Sequence, residues 1–182
     1  MKKTKKLGNF IYFTLVLNVF LVPNFSFAGT WKIYNFEKYR FKVISRMPFL
    51  FDGAKNENDT TAFYTDPRNP ENGIRISVTT KKFKKEEMPK LESVPKIIYA
   101  LLNKKFKDCH DFKYITQKNK YREKKALLTY FYFKDSANKE VLITEIDQMK
   151  NLTWFSLAVR RFMDDENSLG DCEKILESFE VY

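Results

Sequence analysis

Between Ala126 and Phe133 an extended segment is apolar or aromatic on both sides. Leu127, Phe131 and Phe133 fall on one side, and Leu128, Tyr130 and Tyr132 on the other. A strand of this kind needs cover on both faces, which excludes a sheet with one face left to water. Its neighbours read as strands too: Phe112 to Gln117 before it, then Glu140 to Met149 and Thr153 to Arg160 after it. Asp135-Ser136-Ala137-Asn138 and Lys150-Asn151 are the turn chemistry between them.

Upstream, Trp31 to Phe36 and Tyr39 to Ile44 are short strands by their aromatic and β-branched content, and Met47-Pro48 ends the second. The polar stretch from Asp52 to Thr60 reads as a loop without the ligand spacing of a calcium site, and Ala62 to Thr65 resumes a strand. Asp66 to Gly73 is a turn segment by composition, so a long-tipped hairpin follows. In its second strand Ile74, Ile76 and Val78 alternate with Arg75, Ser77 and Thr79, predicting one buried face and one wet face.

Two segments have helical spacing. Leu91, Val94, Ile98, Leu101 and Leu102 predict an amphipathic helix over about 90–107, regular from near Val94 because Pro95 fits only a first turn. Leu169, Cys172, Ile175, Leu176 and Phe179 predict a second, opened by Asp164-Asp165-Glu166. Strands, a helix, a run of antiparallel strands and a helix make the class α+β: a twisted antiparallel sheet of about six strands with helices packed on its faces.

The first 28 residues have the character of an export leader. Lys2, Lys3, Lys5 and Lys6 precede a mostly apolar run from Phe10 to Val22, and Pro23 breaks it. Ser26-Phe27-Ala28 then supplies small residues for cleavage near Ala28-Gly29. The run is 13 residues long and interrupted by Asn18, against the roughly 20 that a spanning helix needs. No cysteine follows the cut to take a lipid anchor. A soluble periplasmic or secreted protein with no transmembrane segment is therefore expected. Removing 28 of 182 residues leaves 154, the size of one domain, 29–182, expected to be a monomer.

The leader takes four lysines and no acids with it, which lowers the formal charge from +10 to +6. Outside the cytoplasm this excess does not call for nucleic acid. It suits an acidic envelope protein, an anionic envelope polymer or lipid head groups, or simple solubility. Two basic groups stand out: Lys81, Lys82, Lys84 and Lys85 around Phe83, and Lys118, Lys120, Arg122, Lys124 and Lys125 around Tyr121. Each has the make-up of an anionic grip with an aromatic anchor, and each equally that of a solvated turn.

Export would place Cys109 and Cys172 where a disulfide persists. That bridge would close a loop of about 60 residues, worth roughly 4 kcal/mol. The competing reading is two separate thiols, with Cys172 on the apolar stripe of its helix. Asp108-Cys109-His110-Asp111 is the one cluster with catalytic residue types. Adjacent loop residues rarely converge on one point, so a helix-exit loop is the expectation, with a thiol enzyme using Cys109 and His110 as the alternative. The single histidine excludes a His-Glu-x-x-His metal motif, and five ungrouped glycines exclude a phosphate-cradling loop. No cofactor is expected.

Tyr39-Arg40-Phe41-Lys42-Val43 followed by Pro48 resembles the opening of the PsbP-like domains. The strand Ile74-Arg75-Ile76-Ser77-Val78, the helix and four strands after it, and the closing Ile175-Leu176-Glu177-Ser178-Phe179 continue the resemblance over residues 31–182. Phe49 and Phe51 stand here where many relatives carry Trp near the first proline. The resemblance implies an α/β/α sandwich and a compact, non-enzymatic module that docks on or stabilises a larger assembly. It carries over no catalytic residue. An exported binding or assembly module of the cell envelope is the expected function, against the thiol enzyme and a basic surface factor binding anionic polymers or lipids.

Overall fold

The computed structural model describes residues 30–52, 60–65, 73–121 and 124–182, and of the side chains in 118–125 nothing is described. The leader therefore lies outside the described residues, as do most of the two upstream loops.

Two antiparallel sheets are present. β1 (Lys32–Phe36), β2 (Phe41–Ser45) and β10 (Glu180–Val181) form the smaller, in the order β1-β2-β10. The larger has seven strands where about six were expected. These are β3 (Phe49–Asp52), β4 (Thr61–Thr65), β5 (Arg75–Lys82), β6 (His110–Tyr121), β7 (Lys124–Lys134), β8 (Glu140–Lys150) and β9 (Thr153–Phe162). Their order is β3-β4-β5-β9-β8-β7-β6, so β5 and β9 meet in the middle. The helices are α1 (Val94–Lys105) and α2 (Asn167–Ser178).

Local chemistry explains the joints. Between β8 and β9 the chain turns through Asn151 and Leu152, both at positive φ (51° and 59°), the two-residue turn whose twist suits a hairpin. Between β7 and β8, Asp135 Oδ1 accepts the backbone N–H groups of Ala137 and Lys139 at 2.9 Å each, and Asn138 takes φ 63°. A 3-10 turn, Leu91–Ser93, leads into α1, and Pro95 sits in the first turn where its missing N–H costs no hydrogen bond. Lys104 and Lys105 occupy the last turn, where cations complement the helix dipole.

Alternation along β9 sorts the interior into two cores. Phe155, Leu157 and Val159 point to the first, with Phe41 and Val43 of β2, Phe63 of β4, and Cys172, Ile175 and Phe179 around α2. The small sheet and α2 thus cover one face together. Phe36, Phe41, Phe49 and Phe63 meet ring to ring at this core, and the exposed Phe51 packs on Phe63 from outside, with centroids 4.4 to 5.8 Å apart. Trp154 and Ala158 point the other way, to a second core where Val94, Ile98 and Leu102 of α1 pack with Phe106 on Phe131, Phe133, Val141 and Ile143.

Several expectations need correction. β5 is enclosed on both faces: Arg75, Ser77 and Thr79, expected in water, are as buried as Ile76 and Val78. Period-2 alternation separates two faces without saying whether the polar one is covered, and here both are. His110 and Asp111 belong to β6 rather than to a helix-exit loop, with a register break before Lys113 and Asp111 at φ 57°. Phe49–Asp52 and Glu180–Val181 form two further short strands that the sequence pattern does not mark.

The Cys109–Cys172 bridge is not formed; both are free thiols. Cys172 belongs to the first core and Cys109 packs against the second, so the seven-stranded sheet lies between them. A disulfide needs Cα atoms within about 7 Å, and no rotamer spans a sheet.

Candidate functional site, a lysine-rimmed cleft over Trp154

The first basic group sits where β5 leaves the sheet. Lys81 is in register with Trp154 of β9 and Lys82 with Thr153, so Lys81 and Trp154 share the α1 face. The chain then turns towards α1, and Phe83 is held at the β8–β9 turn by its backbone N–H, which donates to Leu152 O at 2.8 Å. Lys81 Nζ lies 5.2 Å from the centre of the Phe83 ring. Phe83 is half-buried against the second core and forms a wall of the cleft over Trp154. Lys82, Lys84 and Lys85 are exposed around it, with Glu86 and Glu87 directly following.

Between this segment and α1 lies a small cleft open to solvent. Phe83, Pro89, Val94, Ile97, Ile98 and Trp154 line it, and Lys81 stands at its edge. Its floor is fixed from below. Trp154 Nε1 donates to Asp147 Oδ1 at 2.7 Å, and Ser156 Oγ donates to Glu145 Oε1.

Glu145 and Asp147 are two residues apart on β8, so they share one face of the sheet, and both are buried. Burial pushes Glu145 up to about 7, against the pull of the Ser156 hydroxyl. Burial and the neighbouring Glu145 carboxylate hold Asp147 well above the usual carboxylate range. At neutral pH the pair therefore retains a proton. Asp147 Oδ2 and Thr129 Oγ1 are buried without a hydrogen-bond partner among the described residues, and Thr129 stands opposite Glu145 on β7. Such groups are costly to bury, and here they are enclosed directly beneath the cleft floor.

The second basic group cannot be placed in the same way. Arg122 falls outside the described residues, and Lys118, Lys120, Lys124 and Lys125 lie on β6 and β7 with undescribed side chains. The Asp108–Asp111 cluster is dispersed. His110 Nε2 meets Asn138 Oδ1 at 3.2 Å, Asp111 pairs with Lys134 at 3.4 Å, and Cys109 packs on the second core. Burial raises the Cys109 thiol, the reverse of what a thiolate nucleophile needs. Burial likewise pushes Cys172 up to about 12. No group of three or more His, Cys, Asp or Glu is placed to hold a metal among the described residues.

No family model matches the chain, and no curated protein matches it in sequence. Its fold is matched by cyanobacterial PsbP (CyanoP) from Synechocystis sp. PCC 6803. The TM-score is 0.60, with 86% of this chain and 95% of that one covered. This chain has the PsbP-like fold. The Saccharomyces cerevisiae Ran-binding protein Mog1p aligns more distantly, with a TM-score of 0.48, 9% identity, and 85% and 96% of the two chains covered. At 11% identity to CyanoP the likeness is one of architecture, and no residue role passes across it. The cleft over Trp154 is therefore argued from this PsbP-like domain's own side chains.

Sequence reasoning found Lys81 and its neighbours but missed the cleft floor. Trp154, Glu145 and Asp147 come together only through the β8–β9 register. One signal was present: Glu145 and Asp147 fall on the same alternation as Ile143, an apolar position, which marks their face as covered.

Proposed function

We propose that this chain is an exported, non-catalytic binding or assembly module of the cell envelope, gripping its partner at the lysine-rimmed cleft over Trp154. The cleft carries the reading. It combines apolar walls, a rigid indole floor and a cationic edge, the arrangement that takes an apolar side chain flanked by carboxylates on an acidic partner. The leader supports the compartment, and the resemblance to PsbP-like domains supports a docking role. Among the described residues no helix is long and apolar enough to cross a membrane. The raised Cys109 thiol weighs against the thiol-enzyme alternative.

The test is retention of the purified chain on washed envelope and, separately, on protein-free anionic vesicles. Retention on envelope that falls with salt and is lost on replacing Lys81, Lys82, Lys84 and Lys85 by Glu supports the proposal. Equal retention on protein-free vesicles would point to lipid as the partner and favour the basic surface factor. Retention indifferent to both salt and the four replacements would remove the cleft from the account.

A further inference from the structure

A bulge in β6 gathers four charges at one end of the large sheet. His110 pairs with Lys134 and Lys113 with Tyr132, so β6 carries one residue more than β7 over this stretch. The bulge sets Asp111 at φ 57°, and its Oδ2 lies 3.4 Å from Lys134 Nζ. Glu140 of β8 stands opposite Lys134, and Lys113 of β6 opposite Tyr132. Tyr132 and Lys134 alternate with Phe131 and Phe133, so they point away from the second core.

Asp111, Lys113, Tyr132, Lys134, Glu140 and Met163 line a cleft of about 400 Å³, within the range of small-ligand sites. It shares no residue with the cleft over Trp154. Its charge is uneven. At one end Asp111 and Glu140 face the single cation Lys134, which leaves that end negative. At the other end stands Lys113, its Nζ 5.5 Å from the centre of the Tyr132 ring. Lys113 and Glu140 are both exposed, and neither enters an ion pair among the described residues. Tyr132 and Met163 are half-buried and add apolar wall.

We propose that this cleft binds a short peptide with free ends, its ammonium group at Glu140 and its carboxylate at Lys113. A net anion meets Asp111 and Glu140 there, and a net cation meets Lys113. A zwitterion answers both ends. The register also sets the length. Lys113 and Glu140 are two strands and two residues apart, roughly 12 Å between Cα atoms. Side chains stand roughly perpendicular to a sheet, so the charged heads keep much of that separation. Three extended residues span about 10 Å, which a single amino acid does not. The site includes none of the lysines at the cleft over Trp154, so it stands or falls apart from the proposed docking surface.

The experiment uses the full chain, expressed with its leader, 15N-labelled and purified. Backbone amide shifts are followed by NMR during titration with trialanine, with alanine, and with trialanine blocked at both ends, at matched ionic strength. Exposed ion pairs are individually weak, so saturable shifts at the amides around Lys113, Lys134 and Glu140 are expected at millimolar trialanine. Affinity should fall about threefold or more in K113Q and in E140Q, and about tenfold or more for the blocked peptide. Both replaced side chains are exposed, so the variants keep the fold. The variant with Gln at Lys81, Lys82, Lys84 and Lys85 should bind trialanine as the wild type does. No saturable shift at these amides overturns the proposal. So does blocked trialanine or alanine binding as tightly as trialanine, or wild-type affinity in both K113Q and E140Q.

Discussion

Trp154 Nε1 donates to Asp147 Oδ1 at 2.7 Å, joining the floor of the surface cleft to a buried carboxylate pair. The two residues sit on neighbouring strands, β9 and β8, and the indole reaches along the sheet from its partner Met149 to the next acid on the same face. A surface feature is thus positioned by a polar contact inside the domain. Trp154→Phe removes the indole donor from the buried Asp147. A loss of about 2–3 kcal/mol in urea unfolding is expected; unchanged stability would mean that the contact positions nothing.

The carboxylate pair gives stability a pH dependence of definite sign. Glu145 is raised to about 7 from an ordinary 4.5, so the folded protein keeps a proton that the unfolded chain releases. Its contribution is complete below about pH 4.5 and is lost as pH rises to about 7, and the raised Asp147 extends the decline upward. One proton corresponds to about 1.4 kcal/mol per pH unit across that window. Urea titrations at stepped pH should show this slope in the wild type and a flatter one in Glu145→Gln; identical slopes would contradict it.

The thiols should behave as two separate and unreactive groups. Cys172 is buried in the first core with its thiol pushed up to about 12, while Cys109 is half-buried beyond the sheet. Native alkylation at neutral pH should leave Cys172 unlabelled and modify Cys109 slowly, and denaturation should release both. A mass gain of two hydrogens on reduction would show a bridge, contrary to this structure.

The aromatic knot between the two sheets is the most sensitive part of the first core. Phe41 is fully buried and meets Phe36, Phe63 and Phe179. Phe41→Ala should cost about 3–5 kcal/mol, read from the midpoint of denaturant unfolding. A loss under 1 kcal/mol would mean that the small sheet is not closed over that core.

Much of the sheet could be read from the sequence because its strands carry strong local signals. β7 announced one covered side through Phe131 and Phe133, which lie in the second core, whereas Tyr130 and Tyr132 on its other side are only half-buried. Asp135 marked the β7–β8 turn and Asn151 the β8–β9 turn. Short pieces were harder. Phe49–Asp52 forms a strand only because β4 is there to pair with it, and Glu180–Val181 only because β2 is. The site was legible in part. Lys81 and Phe83 announced themselves by composition, whereas the burial of Arg75, Glu145, Asp147 and Arg160 depends on which layers close over a polar face. Alternation within one strand holds no information about that. The two cysteines show the same limit, since only the side of the sheet on which each helix lands decides whether they can meet.

The most direct test of the account is binding of the chain to washed envelope, measured as affinity against salt for the wild type and two variants. One variant replaces Lys81, Lys82, Lys84 and Lys85 by Glu. The other is Ile97→Glu, which places a charge in the cleft wall from a half-buried position on α1. The account predicts salt-sensitive binding by the wild type and a loss of at least tenfold in each variant. Wild-type affinity in both variants would contradict it.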